Sequence, residues 1–213
     1  MKENSSTLNK LLSHRLRGFS QIEHTLTALQ KACNCQIPYL EIDTRTSSDR
    51  EIYVYHDVIF CNGNTSYNLS KSSSHILNAL KYRTGEKLLS LKKALSVFKK
   101  RKYSDQKLCI DIKDYGFEKE HLQLVRDYHL EENVIFVSWI PQTLFKLSEL
   151  GTTCPLILSH WNVMRFGWFG KKFYNLFANQ LFSIGYCVLI GINKSIVPLS
   201  SLERGYQHTV IAQ

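Results

Sequence analysis

Apolar residues along this chain recur in two distinct periods. Short runs rich in Ile, Val, Leu, Tyr or Phe lie near residues 11–14, 38–43, 52–56, 107–112, 133–138, 154–159, 186–191 and 208–212, and they predict strands. Between most of them, apolar residues return every three or four positions, which predicts helices. "SQIEHTLTALQKAC" sets Leu26, Leu29 and Cys33 on one face, with Ser20 and Glu23 at capping-box spacing ahead of them. "EKLLSLKKALSVFKKRKY" sets Leu88, Leu91, Leu95 and Phe98 on one face and lysines on the other. "FEKEHLQLVRDYH" and "PQTLFKLSELG" follow, the latter opened by Pro141 and closed by Gly151.

Strands alternating with helices specify an α/β fold, either a barrel or a doubly wound sheet. Residues 57–87 break the alternation, being polar, rich in Ser and Asn and weakly periodic. They read as a long loop or small insertion after a strand's C-terminal end. In a barrel that end is the active face.

Composition narrows the class. The 213 residues, 44% hydrophobic, suffice for one well-buried domain spanning 1–213. The net charge of +9 favours an anionic partner: nucleic acid, a membrane surface or a phosphorylated small molecule. The lysines at 92–102 read as a solvated helix face, so nucleic acid is not the expected partner. No run approaches the roughly 20 apolar residues of a membrane span, and the N-terminal stretch has no apolar run of signal-peptide length. The six cysteines are therefore expected as free thiols, mostly in the core, and the setting as cytoplasmic.

The chemistry gathers where strands end. Glu41 and Asp43 alternate, so both project to one side of their strand. Two carboxylates on one side repel unless a cation lies between them, and an oxygen-liking ion such as Mg²⁺ or Ca²⁺ fits. His56 and Asp57 end the next strand, where a histidine beside a carboxylate can move protons with its tautomer fixed. "CIDIKD" sets Asp111 and Lys113 on one side, candidates for a third ligand and a phosphate-binding cation, although an acid and a base two apart on a surface strand would read the same. His14 and Arg15 end the first strand, and arginine suits bidentate phosphate contact. Four successive strand ends thus carry two histidines, one of them beside Asp57, three candidate metal-binding carboxylates and two cations, a set suited to metal-assisted attack on a phosphodiester.

In order and spacing, "HRLRG", "EHTL", "EID", "YHD" and "DIK" resemble the glycerophosphodiester phosphodiesterase family, which reads roughly H-R-G, E-N-T-L, E-L-D, H-D and E-I-K. The resemblance covers residues 12–57 and 107–150 and is faint beyond. It implies a compact TIM (β/α)8-type barrel with a short insertion after the third strand, one divalent cation, and hydrolysis of a glycerophosphodiester to glycerol 3-phosphate and an alcohol. By position it implies Glu41, Asp43 and Asp111 as metal ligands, His14 and His56 as the acid/base pair, and Arg15 and Lys113 as phosphate ligands. Glu23 would cap a helix or brace the site.

Four positions depart from the pattern. Leu16 stands where the family has Gly, with a side chain that would crowd the phosphate; His24 replaces Asn; Asp111 is one methylene shorter than Glu; Arg50 replaces a turn Gly. Two other functions remain open: a phospholipase-D-like hydrolase of lipid headgroups with peripheral membrane contact, prompted by "HWNVMRFGWFGKKFYNLF", and a degenerate, non-catalytic phosphodiester-binding barrel.

Overall fold

The computed structural model describes residues 11–159. The strands expected at 186–191 and 208–212, the aromatic-basic run at 160–177 and Cys187 lie outside them. In chain order the elements are β1 (Leu12–Ser13), a 3-10 turn (His14–Leu16), α1 (Leu26–Cys33), β2 (Tyr39–Thr46), β3 (Ile52–Val54), β4 (Ile59–Asn62), β5 (Thr65–Asn68), α2 (Ser74–Leu77), β6 (Leu89–Ser90), α3 (Leu91–Phe98), β7 (Lys107–Ile112), α4 (Glu118–Asp127), β8 (Val134–Ser138), α5 (Pro141–Glu149) and β9 (Leu156–Leu158).

Strands β1, β2, β7, β8 and β9 pair in parallel, so their C-terminal ends share one edge. Strand β3 differs from the sequence expectation. It runs antiparallel to β2, with Thr44 opposite Val54 and Thr46 opposite Ile52. β2 overshoots the common edge and turns through residues 47–51. The chain then returns, so that the Tyr55 amide donates to the Asp43 carbonyl at 3.0 Å. His56 therefore reaches the edge from above, on the descending arm of a hairpin, and does not end a parallel strand. The turn is stitched by Ser47, whose Oγ donates to Asp49 at 2.7 Å and accepts from the Glu51 amide at 2.9 Å.

The core lies between the parallel strands and the helices that return the chain. Leu40 and Ile42 of β2, Ile110 and Ile112 of β7 and Phe136 of β8 are fully buried with Leu29, Leu95, Phe98, Val125 and Leu147 of the helices. Each such side chain contributes about 1.5–3 kcal/mol relative to exposure. Leu16 belongs to this cluster and is 0% exposed, so it packs inward and does not crowd an anion site.

Helix starts refine the sequence reading. Thr25 caps α1, accepting from the Ala28 amide at 3.2 Å. Ser20 and Glu23 form no capping box, because His24 has φ +60° and a helix cannot run through it. Glu23 turns to Arg15 and Arg17 instead. Ser90 caps α3, which leaves Leu88 outside the helix. Leu88 joins Tyr53, Phe60, Leu69, Leu77 and Leu80 in a second apolar cluster under residues 57–87. That segment is ordered as a β4–β5 hairpin followed by short helical turns. Among the described residues, no helix is long and apolar enough to cross a membrane.

Candidate active site

Parallel register brings the acids together. Asp43 of β2 lies directly opposite Asp111 of β7, and Glu41 lies opposite Cys109. Carboxylate oxygens of Glu41, Asp43 and Asp111 lie within 4.8 Å of one another, and all three residues are buried. β-strand alternation explains the arrangement: residues 41 and 43, like 109 and 111, project to one side.

Two cations and a histidine close on this trio. Lys113 Nζ is 2.8 Å from Asp43 Oδ1 and 2.5 Å from Asp111 Oδ2. Arg15 Nε is 3.1 Å from Asp43 Oδ2, while the Arg15 amide donates to Glu41 Oε2 at 2.6 Å. His14 Nε2 stands 4.0 Å from the same Glu41 oxygen. The turn that delivers both groups is left-handed at Arg15 (φ +56°) and Leu16 (φ +55°). Leu16 adopts a backbone that favours glycine, and its core packing offsets the strain.

The charges respond to this crowding. Burial, reinforced by Asp43, raises the Glu41 carboxyl well above the usual carboxylate range. Burial also acts to raise Asp43, but the His24 contact and the Lys113 charge outweigh it and hold Asp43 low. Burial raises Asp111 against the opposing pull of Lys113. His14 is lowered to about 4, chiefly by burial and then by Arg15, so its imidazole is neutral at pH 7.

His56 stands outside this contact set. Its Nδ1 is 2.7 Å from Asp57 Oδ1, and its link to the trio is electrostatic, through Asp111. The six other expected residues, His14, Arg15, Glu41, Asp43, Asp111 and Lys113, form one connected cluster.

Two contributors escaped the sequence reading. His24 is buried, with Nε2 3.2 Å from the Asp43 amide and 3.3 Å from Asp43 Oδ2. Its sequence signal was only a replacement of Asn. Arg45 continues the alternation Glu41-x-Asp43-x-Arg45, and its guanidinium reaches the His56 carbonyl at 2.9 Å and Asp114 at 2.6 Å. Glu23 braces Arg15 at 3.4 Å and Arg17 at 2.8 Å.

The donors suit a hard divalent cation. They are three carboxylates, and Asp111 Oδ1 is buried with no hydrogen-bond partner among the described residues. An orphaned carboxylate oxygen on a member of an acidic cluster is a ligand candidate.

A family model described as the glycerophosphoryl diester phosphodiesterase family matches residues 13–163. Similar solved structures include a glycerophosphodiester phosphodiesterase from Parabacteroides distasonis, 20% identical, with TM-score 0.62 over 76% of this chain and 70% of that one. Another, from Agrobacterium tumefaciens, is 21% identical, with TM-score 0.61 over 70% and 66% of the two chains. A phosphodiesterase from Oleispira antarctica, in complex with the product sn-glycerol-3-phosphate, is 21% identical, with TM-score 0.59 over 72% and 66%. The chain thus spans about two thirds of the length of these proteins. The likeness is one of fold, a TIM-like α/β barrel, of which the described parallel strands form part. A comparison with curated proteins finds no match.

Proposed function

The chain belongs to the glycerophosphoryl diester phosphodiesterase family, and from that premise we propose that it hydrolyses glycerophosphodiesters to glycerol 3-phosphate and an alcohol. The observation that carries this reading is the buried trio Glu41, Asp43 and Asp111, faced by Arg15, Lys113 and a neutral His14 at one sheet edge. The product bound by the Oleispira protein supports the same substrate class.

Glu41, Asp43 and Asp111 would hold one divalent cation, Mg²⁺ or Ca²⁺. Bound there, it would supply charge neutralisation and Lewis-acid polarisation. Arg15 and Lys113 bind the phosphate oxygens. His14, neutral because it is buried beside Arg15, accepts a proton as an oxygen nucleophile attacks phosphorus. His56 as imidazolium donates a proton to the departing alcohol oxygen, with Asp57 orienting its ring. The described residues belong to one barrel domain, and residues 57–87 form the insertion over the active face. The setting proposed for this activity is the cytoplasm.

A second reading has its own observation. Val58, Ile59 and Ile76 are exposed within the insertion, and Tyr115 and Trp139 are exposed just beyond β7 and β8. Such a rim suits a lipid headgroup substrate presented at a membrane. The two readings separate by assay. Release of glycerol 3-phosphate from soluble glycerophosphocholine or glycerophosphoethanolamine supports the first. Turnover confined to phospholipid vesicles supports the second. Binding of diester without turnover, by a folded protein supplied with metal, sinks both and leaves a non-catalytic barrel.

A further inference from the structure

We propose that Arg45 is a positioning residue, one that holds His56 and Lys113 in a fixed relation to each other; the inference rests on the catalytic reading of those two residues. Arg45 follows Glu41 and Asp43 on the same side of β2, one step further toward the strand's end. Its side chain is only 16% exposed. Its Nε donates to the His56 carbonyl at 2.9 Å. Its Nη1 lies 3.4 Å from the Lys113 carbonyl and donates to Asp114 Oδ1 at 2.6 Å. The other Asp114 oxygen accepts from the Thr46 amide at 2.9 Å, which locks the acceptor that aims the guanidinium.

The two carbonyls belong to separate segments. One closes the descending arm of the β2–β3 hairpin, and the other opens the loop after β7. The His56 carbonyl lies in the peptide joining His56 to Asp57, so fixing it orients the base of both members of that pair. The Lys113 carbonyl fixes the peptide that leaves the phosphate-binding lysine. Arg45 therefore ties the acid/base residue to the anion ligand through their main chains, without touching either reacting group. The planar guanidinium, with donors in a rigid fork, suits this task; a lysine has a single ammonium on a flexible stem.

The test compares full-length Arg45→Ala and Arg45→Lys with wild type, using metal-loaded protein and the soluble diester that wild type turns over. Positioning predicts that Arg45→Ala loses about tenfold to a hundredfold in kcat/KM. Arg45→Lys, which keeps the charge but not the fork, is expected to remain close to the Ala variant. Millimolar guanidinium is expected to restore part of the rate in Arg45→Ala and none in His56→Ala, an effect that general loss of stability would not produce. Turnover of Arg45→Ala within about twofold of wild type overturns the inference, as does full activity of Arg45→Lys. If wild type is inert on every diester, the proposed function fails, and hydrogen exchange decides the Arg45 question. Faster exchange in Arg45→Ala at residues 55–58 and 113–117, with β8 unchanged, supports the tie. Unchanged exchange there removes it.

Discussion

Asp43 and Asp111 face each other across a parallel strand pair, and the Lys113 ammonium sits between them at 2.8 and 2.5 Å. Two buried carboxylates that share one ammonium are tightly interdependent. Removing one partner of a buried charge pair leaves the other uncompensated, at a cost of about 3–5 kcal/mol. Lys113→Met is therefore expected to lower the melting temperature of metal-free protein, and added Mg²⁺ or Ca²⁺ to return part of the loss. A Lys113→Met melt that matches wild type in chelator contradicts this electrostatic account.

Glu41 makes the opposite prediction for stability. Its folded-state pKa is raised by burial and by Asp43. A raised carboxyl contributes stability that is present below its unfolded value, near 4.3, and is lost as pH rises through the folded value. Metal-free wild type should therefore lose stability from about pH 4 upward on this account, while Glu41→Gln removes that slope. Urea midpoints in chelator should show Glu41→Gln as stable as wild type or more so at pH 8, yet without the stabilisation that divalent cation gives wild type.

His24 makes no expected contact with substrate, but it lies 3.3 Å from Asp43 Oδ2. Residues that orient a ligand carboxylate typically govern about tenfold to a hundredfold in metal affinity. His24→Ala should weaken divalent-ion binding in a calorimetric titration by a factor in that range. Unaltered affinity would remove His24 from the site.

Leu16 tests how the turn carrying His14 and Arg15 is held. Its φ of +55° is strained for a residue with a Cβ, and its side chain is fully buried. Gly would relieve about 1 kcal/mol of backbone strain but remove a core leucine, which typically costs about 2–5 kcal/mol. Leu16→Gly should therefore destabilise the protein in urea, even though it installs the residue that the family pattern carries. A stabilised variant would show that strain outweighs packing.

The strand at 107–112 was legible to the residue, because Leu108, Cys109, Ile110 and Ile112 make a short apolar run in which Asp111, and Lys113 just beyond it, alternate onto one side. The helices at 118–127 and 141–149 were legible from periodicity and from Pro141. The hairpin direction of β3 was not, since period-2 patterning is the same in parallel and antiparallel strands. The acidic trio was legible because alternation within β2 and β7 is local, and their parallel register follows from the fold. The roles of His24 and Arg45 depend on contacts between segments 19 and 11 residues apart, which no spacing rule reports. Leu16 misled because a buried leucine with positive φ reads in sequence as an obstruction, whereas its side chain turns into the core.

The most direct test follows glycerophosphocholine by phosphorus NMR with purified protein in Mg²⁺, in Ca²⁺ and in chelator, beside Glu41→Gln and His56→Ala. Loss of the diester signal and growth of glycerol 3-phosphate with wild type and metal is expected. Chelator should stop the reaction, and His56→Ala should slow it by about a hundredfold or more. Turnover that persists in chelator and in Glu41→Gln would contradict the claim that Glu41, Asp43 and Asp111 hold the ion on which the reaction depends.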